Sequence, residues 1–336
     1  MRTSLADLLA TRPTLLADGA TGTNYFEMGL VSGEPPELWN VEHPERVQSL
    51  HRRFVDAGAD IILTNTFGAN RHRLALHGNE ARAYELARRA AELAREVADD
   101  VARPVVVAGS VGPTGELFEP LGALTETAAV DAFLEQIQGL RDGGADVAWI
   151  ETMSAVEEVR AAARAAIAAG IPYTATCTFD TAGRTMMGLA PDELAGVFDG
   201  LEPGPVAFGA NCGVGASDIL VSLLAMATTS GGAVLVSKGN CGVPHFEGTE
   251  VVYSGTPESM ARYASLAVRG GARIVGGCCG TSPAHLAAMR AALDASPRGA
   301  PPDIDEIVAS IGPLANRGPE PRSAARSGRR RQPSGA

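Results

Sequence analysis

Short, almost wholly apolar runs alternate eight times with longer stretches in which apolar residues recur every three or four positions. The short runs fall at residues 14–18, 60–64, 104–109, 146–150, 172–178, 205–210, 233–237 and 272–276. Runs with so few polar positions predict strands covered on both faces, as in a parallel sheet. The longer stretches, at 44–57, 80–100, 125–143, 155–169, 191–199, 217–228, 257–270 and 283–293, predict helices. Ser282-Pro283 and Thr256-Pro257 read as N-caps followed by a first-turn proline. Gly58-Ala59-Asp60, Gly144-Ala145-Asp146 and Gly271-Ala272-Arg273 each stop a helix and lead into a strand. Eight strand–helix units predict an α/β fold, a single (β/α)8 TIM barrel. The alternative is an open doubly wound sheet. Its dinucleotide fingerprint is missing, because Gly19-Ala20-Thr21-Gly22-Thr23 after the first run has the wrong glycine spacing.

The barrel is expected over residues 1–313. Residues 314–336 are expected to form a disordered C-terminal tail, since this stretch is rich in Arg, Pro, Ser and Gly and has almost nothing to bury. Its Arg329-Arg330-Arg331 run makes the tail basic, against a net charge of −11 for the whole chain. That acidic balance argues against a nucleic-acid surface, which needs clustered cations. No apolar run approaches the roughly 18 residues of a membrane span, and residues 1–11 lack the apolar core of a signal peptide. The expected location is the cytoplasm.

The five cysteines, Cys177, Cys212, Cys241, Cys278 and Cys279, are a poor basis for a disulfide framework in a large chain without an export signal. In a (β/α)8 barrel the functional groups sit where strands end on the C-terminal face. Those ends carry Asp18-Gly19, Asn65-Thr66, Glu151-Thr152, Asn211-Cys212, Lys238 and Gly277-Cys278-Cys279. Strands six and eight are next-nearest neighbours around the rim, so Cys212, Cys278 and Cys279 can converge on one metal ion. Zinc (Zn2+) suits three sulfur ligands, and a catalytic zinc keeps its fourth tetrahedral position open.

Cys241 lies in Gly239-Asn240-Cys241-Gly242-Val243, an echo of Asn211-Cys212-Gly213-Val214. It reads first as a rim residue. As an alternative ligand it would close the site and make the protein a non-catalytic zinc-binding scaffold. Cys177 falls inside a strand and reads as core. Asp18 and Glu151 both point to the barrel mouth, where such a pair suits an ammonium group. Paired carboxylates for glycoside hydrolysis are the rival reading, but that chemistry has no use for three cysteines. The six histidines show no metal-ligand spacing, and neither a P-loop nor a Gly-x-Ser-x-Gly elbow is present.

Several motifs together resemble the homocysteine S-methyltransferases, which include betaine–homocysteine methyltransferase and the homocysteine module of cobalamin-dependent methionine synthase. They are Asp18-Gly-Ala-Thr-Gly-Thr23, Asp60-Ile-Ile-Leu-Thr-Asn-Thr-Phe67, Gly109-Ser-Val-Gly-Pro113, Glu151-Thr152, Gly209-Ala-Asn-Cys-Gly213 and Gly276-Gly-Cys-Cys-Gly-Thr281. The similarity spans roughly residues 14–293. It implies zinc held by Cys212, Cys278 and Cys279, with the thiolate of L-homocysteine as fourth ligand and methionine as product. It further implies that Asp18 and Glu151 hold the substrate ammonium, that Thr64 and the backbone near Gly19 receive the carboxylate, and that Asn211 orders the site. Glycine betaine is the implied methyl donor, its quaternary ammonium boxed by Trp39 and Phe67. Gly68 and Thr152 stand where animal betaine enzymes place tyrosines. Pro36-Glu-Leu-Trp-Asn40 and Thr185-Met-Met-Gly188 are shared with bacterial single-module proteins assigned to betaine. The alternative is the homocysteine-binding subunit of a split cobalamin-dependent methionine synthase, which takes its methyl group from a separate corrinoid protein.

Overall fold

The computed structural model describes residues 2–242, 244–247, 250–295 and 299–316. Eight parallel strands form one sheet: β1 (Leu15–Leu16), β2 (Ile61–Leu63), β3 (Val106–Val111), β4 (Val147–Met153), β5 (Tyr173–Cys177), β6 (Ala207–Cys212), β7 (Leu235–Gly239) and β8 (Ala272–Gly277). Each pairs with its sequence neighbour from β2 through to β8, and β8 pairs with β1. The sheet closes on itself where Ala17 bridges Ile61. There the Asp18 amide donates to the Ile61 carbonyl at 3.0 Å and the Asp60 amide to the Leu16 carbonyl at 2.7 Å. The chain is thus the expected (β/α)8 barrel.

Alternation along each strand divides the core in two. Leu15, Ile61, Leu63, Val106, Val147, Trp149, Val236 and Ile274 fill the barrel interior, whereas Leu16, Ile62, Val107, Ala148, Ile150 and Val275 belong to the layer beneath the surrounding helices. A short helix outside the eightfold pattern, Leu5–Thr11, adds Leu5, Leu8 and Leu9 to the interior cluster. It closes the end where the strands begin. Arg273, near the start of β8, donates there to the carbonyls of Leu9 and Arg12. Among the described residues no helix is long and apolar enough to cross a membrane.

Some local expectations change. Residues 191–199 form a 3-10 helix, Pro191–Phe198, because Gly196 and β-branched Val197 weaken an α-helical run this short. Thr256 caps its helix as expected, accepting from the Ser259 amide at 3.2 Å. Ser282 differs, since its hydroxyl pairs with His285 Nδ1 at 2.8 Å rather than with a backbone amide. A hairpin, Pro244–Glu247 with Glu250–Tyr253, follows β7, and a further helix, Ile304–Ile311, follows the eighth unit. Within the expected tail, the Ala315 and Asn316 amides donate to Asp218 at 2.9 and 2.8 Å. Residues 317–336, including the Arg329-Arg330-Arg331 run, lie outside the described residues.

Asp60 ties the closing strands together. It is 2% exposed, accepts from the Leu16 amide at 2.9 Å, and faces the guanidinium groups of Arg12, Arg103 and Arg290. Asp60→Ala leaves that amide unpaired and three cations without their shared counter-ion. It is expected to cost about 3–5 kcal/mol in urea denaturation. An unchanged midpoint would show that closure does not depend on this carboxylate.

Candidate metal and substrate site

The register across β7 assembles the site. Gly239 pairs with Cys212 of β6 on one side and with Gly277 of β8 on the other, so the two strands end at the same height. The Sγ atoms of Cys212, Cys278 and Cys279 consequently all lie within 4.8 Å of one another. Backbone hydrogen bonds fix the chain that carries them: the Cys278 amide donates to the Gly239 carbonyl at 2.8 Å and the Thr281 amide to the Cys278 carbonyl at 3.1 Å. Cys212 sits at φ 63°, a left-handed conformation that costs a non-glycine residue free energy and turns its side chain toward the cluster.

Two asparagines hold this corner. The Asn211 side chain accepts from the Thr152 amide at 2.8 Å and the Thr176 hydroxyl at 2.7 Å, and donates to the Thr152 hydroxyl at 2.7 Å and to Cys278 Sγ at 3.8 Å. Asn240 accepts from the Cys279 amide at 3.0 Å and donates to Cys212 Sγ at 3.6 Å. Sequence reasoning passed over Asn240 in favour of its neighbour Cys241. That thiol lies outside the cluster, buried against Gly255, with its amide donating to the Cys279 carbonyl at 2.9 Å. Cys177 is core, and burial pushes its thiol up to about 12.

The three clustered thiols suit a soft divalent cation. Hydrogen bonding to Cys278 and burial push Cys212 up to about 12, and hydrogen bonding to Cys212 pushes Cys279 up to about 11. Thiols this close oppose one another's ionisation. A dication among them would reverse the effect, because thiolates are the ligating form and each would then face positive charge.

Beside the sulfurs lies a charged floor. Lys238, at 2% exposure, puts Nζ 3.0 Å from Asp18 Oδ1 and 5.7 Å from the centre of the Trp149 ring. Burial works against the Lys238 charge, but Asp18, Glu151 and Cys278 outweigh it and hold its pKa above the ordinary lysine value. The second Asp18 oxygen accepts from the Leu63 amide at 2.7 Å. Both oxygens are therefore engaged, and Asp18 lies beneath the cavity surface, 1% exposed, rather than among its lining residues. Glu151 does line it, and Oε1 accepts from the Ser110 hydroxyl at 2.5 Å. Burial raises the Glu151 pKa, while Lys238 and Ser110 oppose it. Two carboxylates thus face one ammonium at the floor, and burial raises the pKa of both while the Lys238 charge opposes it.

A cavity of about 540 Å³ rises from this floor. Gly19, Thr64, Glu151, Lys238 and the three cysteines line its inner end; Asn211 stands behind the wall. Gly19 is required there, because a Cβ would come within 2.5 Å of the Thr281 carbonyl oxygen. Thr64 Oγ1 accepts from the Ser110 amide at 3.0 Å and lies 2.6 Å from the Thr66 hydroxyl, which itself donates to the Ser110 carbonyl. Its single O–H is committed within the wall. The outer end is lined by Phe26, Glu37, Phe67, Gly68, Arg73 and His77. Trp39 is absent from it. At 4% exposure the indole packs 5.1 Å from the Tyr25 ring and 5.5 Å from His43, with Arg46 over its face, so the expected two-ring donor box loses one wall.

The sequence profile described as homocysteine S-methyltransferase matches residues 15–293. The chain is 32% identical over 309 residues to a protein named methionine synthase from Mycobacterium tuberculosis, covering 87% of this chain and 25% of that protein. The methionine synthase of Mycobacterium leprae matches equally, at 32% over 308 residues, 87% of this chain and 25% of that protein. This chain therefore spans about a quarter of the length of these relatives. Among solved structures, the metallated form of the homocysteine methyltransferase MmuM from Escherichia coli superposes with a TM-score of 0.71 at 27% identity, covering 85% of this chain and 98% of that one.

The buried Lys238–Asp18 pair makes its own prediction. Lys238→Met strands the Asp18 charge beneath the cavity and is expected to cost about 3–5 kcal/mol of stability, most of which the added Asp18→Asn change restores. Denaturation of the two single variants and the double variant measures it; strictly additive losses would show that the two charges are not coupled.

Proposed function

The chain belongs to the homocysteine S-methyltransferase family, and from that premise we propose that it transfers a methyl group to the thiol of L-homocysteine, giving methionine, with zinc at Cys212, Cys278 and Cys279 and glycine betaine as donor. The observation that carries this reading is the meeting of three thiols with the buried Glu151 carboxylate and the Lys238 ammonium in one cavity. When bound, zinc would supply a homocysteine thiolate in place of a thiol of pKa near 8.5, which is only a few per cent ionised at neutral pH.

The chain's own residues orient the rest of the substrate. Glu151 takes the substrate ammonium, since it lines the cavity while Lys238 is hydrogen-bonded to Asp18 beneath it. The carboxylate turns toward the backbone at Gly19 and toward Lys238, with Thr64 beside it. Asn211 and Asn240 keep the cysteine sulfurs in place by donating to them. The thiolate lone pair forms the new S–C bond while the C–N pair of betaine returns to nitrogen, leaving dimethylglycine. Phe67, at the outer end of the cavity, shelters the trimethylammonium group. The mycobacterial relatives favour a second reading, in which a methylcorrinoid on another protein is the donor.

Cys212→Ser, Cys278→Ser and Cys279→Ser are each expected to lose most bound zinc and essentially all methyl transfer. Cys177→Ser and Cys241→Ser should keep both, measured by metal analysis and with labelled homocysteine. Full zinc retention in all three rim variants would end the metal assignment. Glu151→Gln is expected to keep its zinc and to weaken homocysteine use by tens to thousands of fold, about 2–5 kcal/mol. Unchanged kinetics would place the ammonium elsewhere. Betaine should give methionine with the purified protein alone. Methionine from methylcobalamin but not from betaine would favour the corrinoid reading.

A further inference from the structure

The cavity holds one more buried carboxylate than homocysteine uses. Glu37 is 4% exposed, lines the outer end, and its Oε1 accepts from the Gly68 amide at 2.7 Å. Among the described residues no Lys, Arg or His nitrogen lies within ion-pair distance of it. Burial raises its pKa; hydrogen bonds from its own amide and the Gly68 amide, and then the charges of Arg73 and His77, both exposed at the same end, oppose that less strongly. Buried carboxylates are ordinarily paired, because an isolated charge loses its hydration without compensation.

The neighbours of Glu37 indicate what would pair with it. A Cβ on Gly68 would stand 2.9 Å from Glu37 Oε1 and 3.6 Å from Oε2, so the glycine leaves the carboxylate at the wall where a larger residue would put its side chain. Phe67 and Phe26, 38% and 53% exposed, line the same end. A carboxylate beside aromatic rings suits a cation that has no N–H to donate, which gains from charge and from ring faces but not from hydrogen bonds. Homocysteine brings a single ammonium, and Glu151 accounts for it. A second buried carboxylate with no ion-pair partner among the described residues can be matched by a second cation, and the methyl donor is the remaining molecule that must enter.

We propose that Glu37 is the donor-selecting residue, its carboxylate holding the positive centre of a quaternary ammonium or sulfonium methyl donor against Phe67 and Phe26. The inference rests on the homocysteine reading above for the reaction it serves. As the methyl group passes to sulfur, the bond pair returns to the donor's nitrogen or sulfur and the onium charge disappears. Glu37 therefore holds the donor more tightly than the product at the moment of transfer.

Glycine betaine and 3,3-dimethylbutyrate share a shape and differ in the charge of the central atom. Titrated calorimetrically into the full zinc-loaded chain, betaine is expected to bind at least about tenfold more tightly, a difference of about 1.4 kcal/mol. Glu37→Gln, which keeps an oxygen for the Gly68 amide, should bring the two within about twofold. Homocysteine binding, read from the absorption of cobalt-substituted protein, should not change in that variant. A full preference retained in Glu37→Gln overturns the proposal, as does a wild-type protein without preference that methylates homocysteine from methylcobalamin; either result leaves the homocysteine reading standing. An onium preference that depends on Glu37 in a protein that does not bind homocysteine would support the proposal and remove that reading instead.

Discussion

Strand register across β7 is the constraint on which the site depends. Parallel neighbours lie about 4.8 Å apart, so β6 and β8 are separated by two such steps with β7 between them. Only because Gly239 is level with both Cys212 and Gly277 do the following side chains reach one point. A slip of one residue in either pairing would turn Cys212 or the Cys278-Cys279 pair to the opposite face. The closing contacts at Ala17, Ile61 and Asp60 act between β1 and β2, and β1 in turn holds β8 on the side away from β7, so closure steadies the strand that carries Cys278 and Cys279.

The second constraint is charge held out of water. Asp18, Glu151 and Lys238 are all buried at the floor, and Glu37 is buried at the outer wall. Such groups do not add stability in themselves, since the desolvation cost of a buried ion pair rivals its attraction. Their value lies in what the cavity then prefers. A floor with two carboxylates and one ammonium favours a ligand that brings a positive charge, and the neutral apolar remainder of the barrel offers no competing place for one. Stability comes mainly from the interior and the helix layer, which leaves the strand ends free to carry polar chemistry.

Much of this was legible in the sequence, and the missing parts share one cause. The apolar runs set the strands, and the strand ends set which residues reach the mouth; Cys212, Cys278, Cys279 and Glu151 follow from that alone. Side-chain direction at the mouth is another matter. Lys238 stands among the strand-end residues, and its partner becomes visible only when Asp18, 220 positions away in the chain, is seen to face it. The same contact engages one Asp18 oxygen beneath the cavity. Trp39 follows the short 3-10 turn Pro36–Leu38, whose geometry swings the indole toward Tyr25, and no periodicity in so brief a segment announces that. Glu37 was inside a quoted motif, but its exposure to the cavity depends on the absent side chain of Gly68. The helix Leu5–Thr11 is seven residues long, too short for an apolar repeat to stand out.

Counting sulfur atoms around the metal tests most directly whether the three thiols form an open substrate site. X-ray absorption on the zinc-loaded protein is predicted to show three sulfur neighbours at about 2.3 Å without substrate, and four once homocysteine is added. Four sulfurs before substrate, or three that stay three in saturating homocysteine, would contradict the account.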